Sequence, residues 1–366
     1  MVDGLYIGIM SGTSLDGIDT ALVSFENNHF ELVKTHSQAW PEDLKNRLKE
    51  LIETGDSLDE TLELDQACAH QYAKATSECL ARAGATASQI IAIGCHGQTI
   101  RHAPDKLPGY TLQIGNPATI AEETGITTIS DFRSRDIAAG GQGAPLAPAF
   151  HKAVFAAPDK KRIVLNIGGI ANITALGKDT VVGLDTGPGN RLLDDWISHK
   201  KQLAFDENGD FAASGKLIEP LLEHLLQDKY FSLAFPKSTG SDYFNLKWVL
   251  DNAGEYLGEP AENIQATLAA LTAKTIKNEI NKVMNDPDEI LICGGGVHNH
   301  HLVSLLKQEF QGKHVGSTEE FGCPPDWVEA VAFAWLARQT MSGSPGNLPD
   351  VTGAKGLRIC GGVYFA

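Results

Sequence analysis

The chain has 366 residues and a formal net charge of −16, with 42% hydrophobic and 21% charged residues. That balance excludes a disordered chain, and the acidity argues against non-specific binding to nucleic acid or to an anionic membrane. The length suffices for two α/β domains with full cores. The six cysteines, Cys68, Cys79, Cys95, Cys293, Cys323 and Cys360, form no C-x-x-C pair and sit mostly among apolar neighbours, as buried reduced thiols do. No signal-peptide pattern and no apolar run of about 18 residues is present, so a cytoplasmic enzyme is expected.

Leu5 to Met10, Ile18 to Phe25 and Phe30 to Thr35 read as three strands. The turn between the first two carries Gly12, Thr13, Ser14, Leu15, Asp16 and Gly17, and Ile18 and Asp19 follow it. Small hydroxyls and backbone N–H groups at such a hairpin tip suit an anion, and its carboxylates suit Mg²⁺ held directly or through water. Leu44, Leu48, Leu51 and Ile52 line one face of a helix. Ser57 and Glu60 predict a capping box for a second helix ending near Arg82. Gln89 to Gly94 is a buried strand running into Cys95, His96, Gly97, Gln98 and Thr99, polar residues that suit a cleft. Asn116 caps a short helix with Pro117 at its first position, and Ile126 to Ile129 is a strand. From Asp131 to Pro148 the chain is loop-like and reads as the crossing between domains. Its arginines, Arg133 and Arg135, suit a ligand bearing a carboxylate.

Arg162 to Ile167 and Ala171 to Leu176 form a hairpin around Gly168 and Gly169, and Thr180 to Leu184 adds a third strand. Three strands followed by helices repeat the plan of the opening segment, a structural echo without sequence similarity. Asp185 stands at the end of the third strand, which Thr186 to Gly189 should terminate, and Asn190 reads as the N-cap of a helix carrying Leu192, Leu193, Trp196 and Ile197. An acid is thus expected at a strand tip beside bare backbone N–H groups, where open α/β folds bind ligands. Asp206 to Gly215 is a polar loop, Leu217 to Gln227 is helical, and the turn around Lys237 and Gly240 could reach the cleft. A long amphipathic helix spans Ala266 to Val283, and Glu289 to Cys293 is a strand. Gly294, Gly295 and Gly296 after it would let a flat ring lie close to the backbone. His298, His300 and His301 form a solvent-facing tip without an assigned metal; Trp327 to Arg338 is helical with Glu329 near its start; and Asn347 to Gly353 is a loop before a last strand, Gly356 to Val363. No P-loop, G-x-G-x-x-G, H-E-x-x-H or G-x-S-x-G motif occurs, so a nucleotide must be cradled in another way.

Taken together, the segments 10–19, 96–99, 140–145, 166–172, 185–190, 237–240, 265–268, 294–296 and 329–334 resemble, over essentially the whole chain, the anhydro-N-acetylmuramic acid kinases of the sugar kinase, Hsc70 and actin superfamily. Ser241 and Asp242 stand where that family often has a basic-acidic pair, and Asn263 stands where it often has an acid. The resemblance implies a two-lobed actin-like α/β fold with a cleft between the lobes. Residues 1–131, joined by 345–366, are expected as the first lobe and 132–344 as the second. It implies ATP and Mg²⁺ as cofactors and 1,6-anhydro-N-acetylmuramic acid as substrate, with N-acetylmuramic acid 6-phosphate as product in peptidoglycan recycling.

By motif position, Asp185 is the base that takes a proton from water attacking C1, while O6 receives the γ-phosphoryl group. Gly12 to Asp19 would hold the phosphates, with Asp16 on the metal. Gly168, Gly169, Lys237, Gly240 and Gly294 to Gly296 would line the nucleotide, and His96, Arg133, Glu329 and Asn190 the sugar. A homodimer in a bacterial cytoplasm is expected, with no nucleic-acid or membrane partner. The alternatives are an ordinary sugar kinase in which Asp185 deprotonates a free hydroxyl, a nucleotide-driven chaperone, and a sensor of cell-wall fragments that does not consume ATP.

Overall fold

The computed structural model describes residues 1–27, 29–55, 57–235 and 237–366. The chain divides into two compact units, Met1–Val154 with Trp327–Ala366, and Phe155–Asp326. Its strands in chain order are β1 (Gly4–Met10), β2 (Ile18–Glu26), β3 (His29–Gln38), β4 (Ile90–Cys95), β5 (Gln98–Ala103), β6 (Tyr110–Ile114) and β7 (Thr128–Ser130). They continue with β8 (Arg162–Ile167), β9 (Ile170–Leu176), β10 (Val181–Pro188), β11 (Glu289–Cys293), β12 (His314–Ser317) and β13 (Gly362–Tyr364).

The first unit holds a sheet ordered β13-β7-β4-β1-β2-β3, and the second a sheet ordered β10-β9-β8-β11-β12. In the first, β1, β2 and β3 are antiparallel neighbours, and β4 and β7 add on in parallel beside β1. In the second, β8, β9 and β10 repeat the antiparallel triplet, and β11 and β12 repeat the parallel pair. The echo expected from the sequence is therefore a duplication of topology, and the fold class is the expected two-lobed α/β one. Parallel neighbours need long crossovers. Helices Glu42–Thr54 and Leu58–Ala83 lie in the β1-to-β4 crossover and Pro117–Thr124 in the β4-to-β7 one, and Ala261–Val283 and His300–Glu309 belong to the second unit's.

Sheet alternation decides how the first unit packs. Ile7 and Ile9 of β1 and Ile93 of β4 join Leu48, Leu64, Cys68 and Tyr72 in one buried cluster. Gly8 and Gly94 face the other way, where an added Cβ would overlap the backbone carbonyl oxygens of Ala330 and Phe333. These two glycines let helix Val328–Met341 lie directly on the sheet, and that helix is buried almost all round. For that reason residues 327–344 cluster with the first unit, where the sequence reading had put them in the second lobe. Residues 132–154 cluster with the first unit too. The supposed crossing loop contains helices Ser134–Ile137 and Ala147–Phe155 and is tied down by Asp136.

Other local readings shift. β10 continues through Thr186 and Gly187 to Pro188 instead of ending at Leu184, because Thr186 forms a bulge opposite Asn172 and Ala171. Ser57 caps its helix by accepting from Glu60 N–H at 3.1 Å, but Glu60 pairs with Arg47 and supplies no return arm of a box. Gln98–Ala103 and Tyr110–Ile114 form a hairpin that the sequence reading did not separate from a polar loop. Short helices Asp210–Ser214 and Pro349–Thr352 occupy segments expected as loops, and the last strand is only Gly362–Tyr364. All six cysteines are free and buried, as expected.

Candidate active site

In the second unit the Asp185 side chain emerges just before the bulge at Thr186, whose hydroxyl donates to Ala171 O at 3.1 Å. Bulges re-aim side chains in this way. The Asp185 carboxylate accepts from Thr239 N–H at Oδ2, 3.0 Å, and its backbone carbonyl accepts from Tyr230 Oη at 2.8 Å. Among the described residues Oδ1 takes no hydrogen bond. Burial pushes this carboxyl up to about 6, against the opposing pull of the Thr239 N–H and the Lys237 charge. A carboxylate with that affinity for protons is ionised near neutrality yet is a stronger base than a solvated one.

The backbone N–H groups beside Asp185 are not bare, contrary to the sequence reading. Gly189 and Arg191 N–H donate to Gly169 O and Asn190 N–H donates to Gly168 O, at 2.8–3.0 Å. Asn190 makes no side-chain cap; its amide nitrogen reaches Ile167 O at 3.4 Å. Lys237 is also committed within the fold, with its ammonium 2.8 Å from Glu279 Oε1 and almost no exposed surface. Gly240 closes the following turn, and a Cβ there would lie 2.5 Å from Asp242 Oδ1. The Ser241 and Asp242 backbone carbonyls accept from the Asn245 side-chain amide, and Asn263 Oδ1 accepts from Lys216 N–H at 2.8 Å. A cavity of about 400 Å³, lined among others by Asp228, Phe231, Asn278, Glu279 and Lys282, opens beside the lysine–glutamate pair; Asp185 does not line it.

The glycines separate into two kinds. Gly294 has φ +78°, and a Cβ on Gly296 would overlap the Ile167 side chain, so the fold itself demands both. Gly12, Gly168, Gly169 and Gly295 have no left-handed φ, and a Cβ would meet no heavy atom nearer than 3.5 Å. Nothing in the chain's own packing calls for glycine at these four, whereas close approach of a ligand to the backbone would.

In the first unit, the loop after β1 is anchored by Leu15. This residue is 4% exposed and adopts φ +57°, a conformation that non-glycine residues rarely adopt. Its burial in the core cluster holds the loop down, and Thr13, Ser14 and Asp16 are left exposed. Gly12 O accepts from Leu15 N–H and Gln98 Nε2, both at 3.2 Å, and Ser11 Oγ meets Tyr72 Oη at 2.7 Å. Gly17 packs 3.1 Å (as a built Cβ) from Gln38 O, Ile18 is buried, and Asp19 pairs with Met10 in the β1–β2 ladder.

Arg133 and His96 form a second group there. Arg133 Nε and Nη2 approach His96 Nε2 at 3.2 and 2.8 Å, and Nη1 donates to Gly143 O at 2.9 Å. Burial first, then the Arg133 charge, holds the His96 imidazole down at about 3, so it is neutral and serves as an acceptor for the guanidinium. His96 is itself 4% exposed with Phe333 against its ring, and its Nε2 orients the Arg133 guanidinium. Burial lowers Arg133 to about 10, still cationic at neutral pH. Desolvation by the surrounding protein raises the Glu329 carboxyl, with Arg133 opposing and Asp19 adding to the rise.

Sequence reasoning passed over Asp136, fully buried, which accepts from Gly143 N–H, Asn347 Nδ2 and Thr352 Oγ1 at 2.7–2.8 Å and so fixes the carbonyl that holds Arg133. It also passed over Tyr230 and Glu279. A carboxylate between Ile276 and Ile280 on a buried helix face was the one available signal for Glu279.

The family model for anhydro-N-acetylmuramic acid kinase matches residues 4–366. The chain belongs to the anhydro-N-acetylmuramic acid kinase family. Proteins of that name from Shewanella halifaxensis and Coxiella burnetii are 48% and 47% identical to it. The first alignment covers all of both chains, and the second covers 98% of this chain and 97% of the relative. Among solved structures, component A of (R)-2-hydroxyglutaryl-CoA dehydratase from Acidaminococcus fermentans aligns over 90% of this chain and 96% of its own, at 12% identity and a TM-score of 0.49. Among the described residues no helix is long and apolar enough to cross a membrane.

Proposed function

We propose that Asp185 is the general base of an ATP-dependent reaction that opens the 1,6-anhydro ring of 1,6-anhydro-N-acetylmuramic acid and phosphorylates O6. Family membership supplies the reaction, and the site supplies the assignment. The observation that carries the assignment is a carboxylate held at Oδ2 by Thr239 N–H and raised to about 6 by burial.

Asp185 accepts a proton from water as the water oxygen bonds to C1. The C1–O6 bond breaks with its electron pair going to O6. In a two-carboxylate hydrolase a second acid would protonate that oxygen. Here O6 bonds to the γ-phosphorus instead, and ADP leaves with the electrons of the bond it held. The proton on Asp185 passes to solvent. One base and a phosphate cradle therefore suffice.

Phosphates fit the exposed N–H groups and hydroxyls of Gly12, Thr13 and Ser14, where no side chain obstructs Gly12. Gly168, Gly169 and Gly295 offer open backbone of the same kind to the rest of the nucleotide. Mg²⁺ usually takes one or two protein carboxylates and completes its shell with water and phosphate oxygens. The exposed Asp16 fits that role, through water, and the ion would neutralise phosphate charge there. Arg133 is the cation for the anionic lactyl group, and Glu329 a hydrogen-bond acceptor for the sugar. Buried reduced thiols fit a reducing compartment, and ATP is found in the cytoplasm; the reading places the enzyme there, as a homodimer.

Mass spectrometry of the product made from the anhydro sugar, MgATP and ¹⁸O-labelled water tests the reading. Phosphate together with one early-fixed ¹⁸O is the expected result. ATP turnover that needs a non-anhydro sugar and fixes no label would make the chain an ordinary sugar kinase.

A further inference from the structure

We propose that Lys237 and Glu279 form the positioning device of the Asp185 base, so that Lys237 acts on the reaction through Asp185 and not on the nucleotide. The inference rests on the reading of Asp185 as base and deepens it.

The geometry is a closed circuit within the second unit. Tyr230 Oη donates to the Asp185 backbone carbonyl at 2.8 Å, and the Tyr230 carbonyl accepts from Lys237 Nζ at 3.3 Å. The same ammonium lies 2.8 Å from Glu279 Oε1 and 4.4 Å from the centroid of the Tyr230 ring. Two residues beyond Lys237, Thr239 N–H reaches the Asp185 carboxylate at 3.0 Å. Asp185 is thus held twice, through its backbone by Tyr230 and through its carboxylate by Thr239, and Lys237, paired with Glu279, reaches the Tyr230 carbonyl.

Glu279 is suited to that task. It sits on the long helix Ala261–Val283, whose neighbours Ile276 and Ile280 are fully buried. The same oxygen also takes Lys282 Nζ at 2.7 Å, and Lys282 donates to Phe231 O at 2.8 Å. Both lysines therefore bridge one carboxylate to consecutive carbonyls, Tyr230 and Phe231. The pair is removed from water: the Lys237 side chain is 2% exposed and that of Glu279 4%. A buried ion pair is a poor way to add stability compared with apolar packing of equal volume. It does fix a segment at one register, because moving Lys237 away from Glu279 leaves its ammonium buried without a carboxylate. An ammonium so enclosed has no free path to a phosphate.

The titratable and charged groups around the pair come from three elements. They are Asp185 on β10, Tyr230 on the short helix Lys229–Ser232, and Lys282 on the helix of Glu279. Asp228, next to Tyr230, is taken up by Tyr243 Oη and Trp248 Nε1.

The test compares pH profiles of kcat/KM, together with kcat and both KM values, for the full-length enzyme and its Lys237→Met, Lys237→Arg, Glu279→Gln and Asp185→Asn variants. Lys237→Met removes the cation that favours ionised Asp185. It is expected to lower kcat about 10- to 100-fold, the scale of a misplaced reacting group, with both KM values little changed. The acidic limb of its profile moves to higher pH, and Lys237→Arg, which keeps the charge, returns the limb toward the wild-type position. Glu279→Gln lowers kcat without raising the KM for ATP, and it serves if Lys237→Met does not fold. A raised KM for ATP with kcat and limb unchanged in Lys237→Met would make Lys237 a nucleotide contact and overturn the proposal. Wild-type kcat and limb in Lys237→Met and Glu279→Gln, beside an inactive Asp185→Asn, would overturn the positioning role alone. A fully active Asp185→Asn would remove the base, and the proposal with it.

Discussion

Replacing Asp185 with Asn should produce two opposite effects, lost turnover and a more stable protein. The side-chain shape is kept, and the amide oxygen can still accept from Thr239 N–H. What disappears is a carboxylate that burial has pushed from 3.8 to about 6. At 1.36 kcal/mol per pKa unit, that shift corresponds to about 3 kcal/mol of destabilisation when the group is ionised. The folded protein holds this proton more tightly than the unfolded chain does. Stability therefore falls as pH rises from about 4 to about 6, and the cost is complete above that window. Asp185→Asn should unfold at higher urea than wild type at pH 7.5, with a gain of up to about 3 kcal/mol, and should converge with it near pH 4. Its kcat should drop about 10²- to 10⁴-fold, the range for loss of a general base. Urea titrations at both pH values, read by fluorescence, with a coupled ADP assay, check both effects. A variant less stable than wild type at pH 7.5, with the same pH dependence, would refute the claim that Asp185 is a desolvated anion. Near-normal turnover would refute its role as base.

The remaining predictions follow from neighbouring groups. Wild-type kcat/KM should fall below about pH 6 with unit slope, since Asp185 must be deprotonated to act; a flat profile to pH 5 would count against this. Arg133→Met should raise the KM for the anionic sugar about 10- to 100-fold, the worth of one charge-assisted hydrogen bond, and leave the KM for ATP alone. Initial rates with each substrate varied separate the two. Gly295→Ala should leave the melting temperature unchanged and weaken ATP binding, whereas Gly296→Ala should destabilise the second unit because its Cβ overlaps Ile167; calorimetry and nucleotide titration distinguish them. Chelation of divalent ions with EDTA should abolish turnover, and added Mg²⁺ should restore it, as followed by ADP release.

The sequence by itself determined the elements and the chemistry-bearing positions. Short apolar runs marked β1, β2, β8 and β11 to within a residue or two, and the Asn116–Pro117 and Ser57 signals placed helix starts, because these depend on local sterics and nearby hydrogen bonds. The motif order already pointed to the family and to Asp185. Tertiary structure decided what those residues can do. Helix Val328–Met341 joined the first unit because Gly8 and Gly94, more than 230 residues away, leave its backbone room on the sheet. Thr186 to Pro188 stayed in β10 because β9 supplied partners across a bulge, which outweighed the local breaking tendency of glycine and proline. His96 and Lys237, read as ligand contacts, turned out to be engaged with Arg133 and Glu279. Burial and pairing depend on contacts distant in sequence, and such contacts leave no mark in local composition or spacing. For that reason the strand-borne acid was legible in the chain, and the groups that tune it were not.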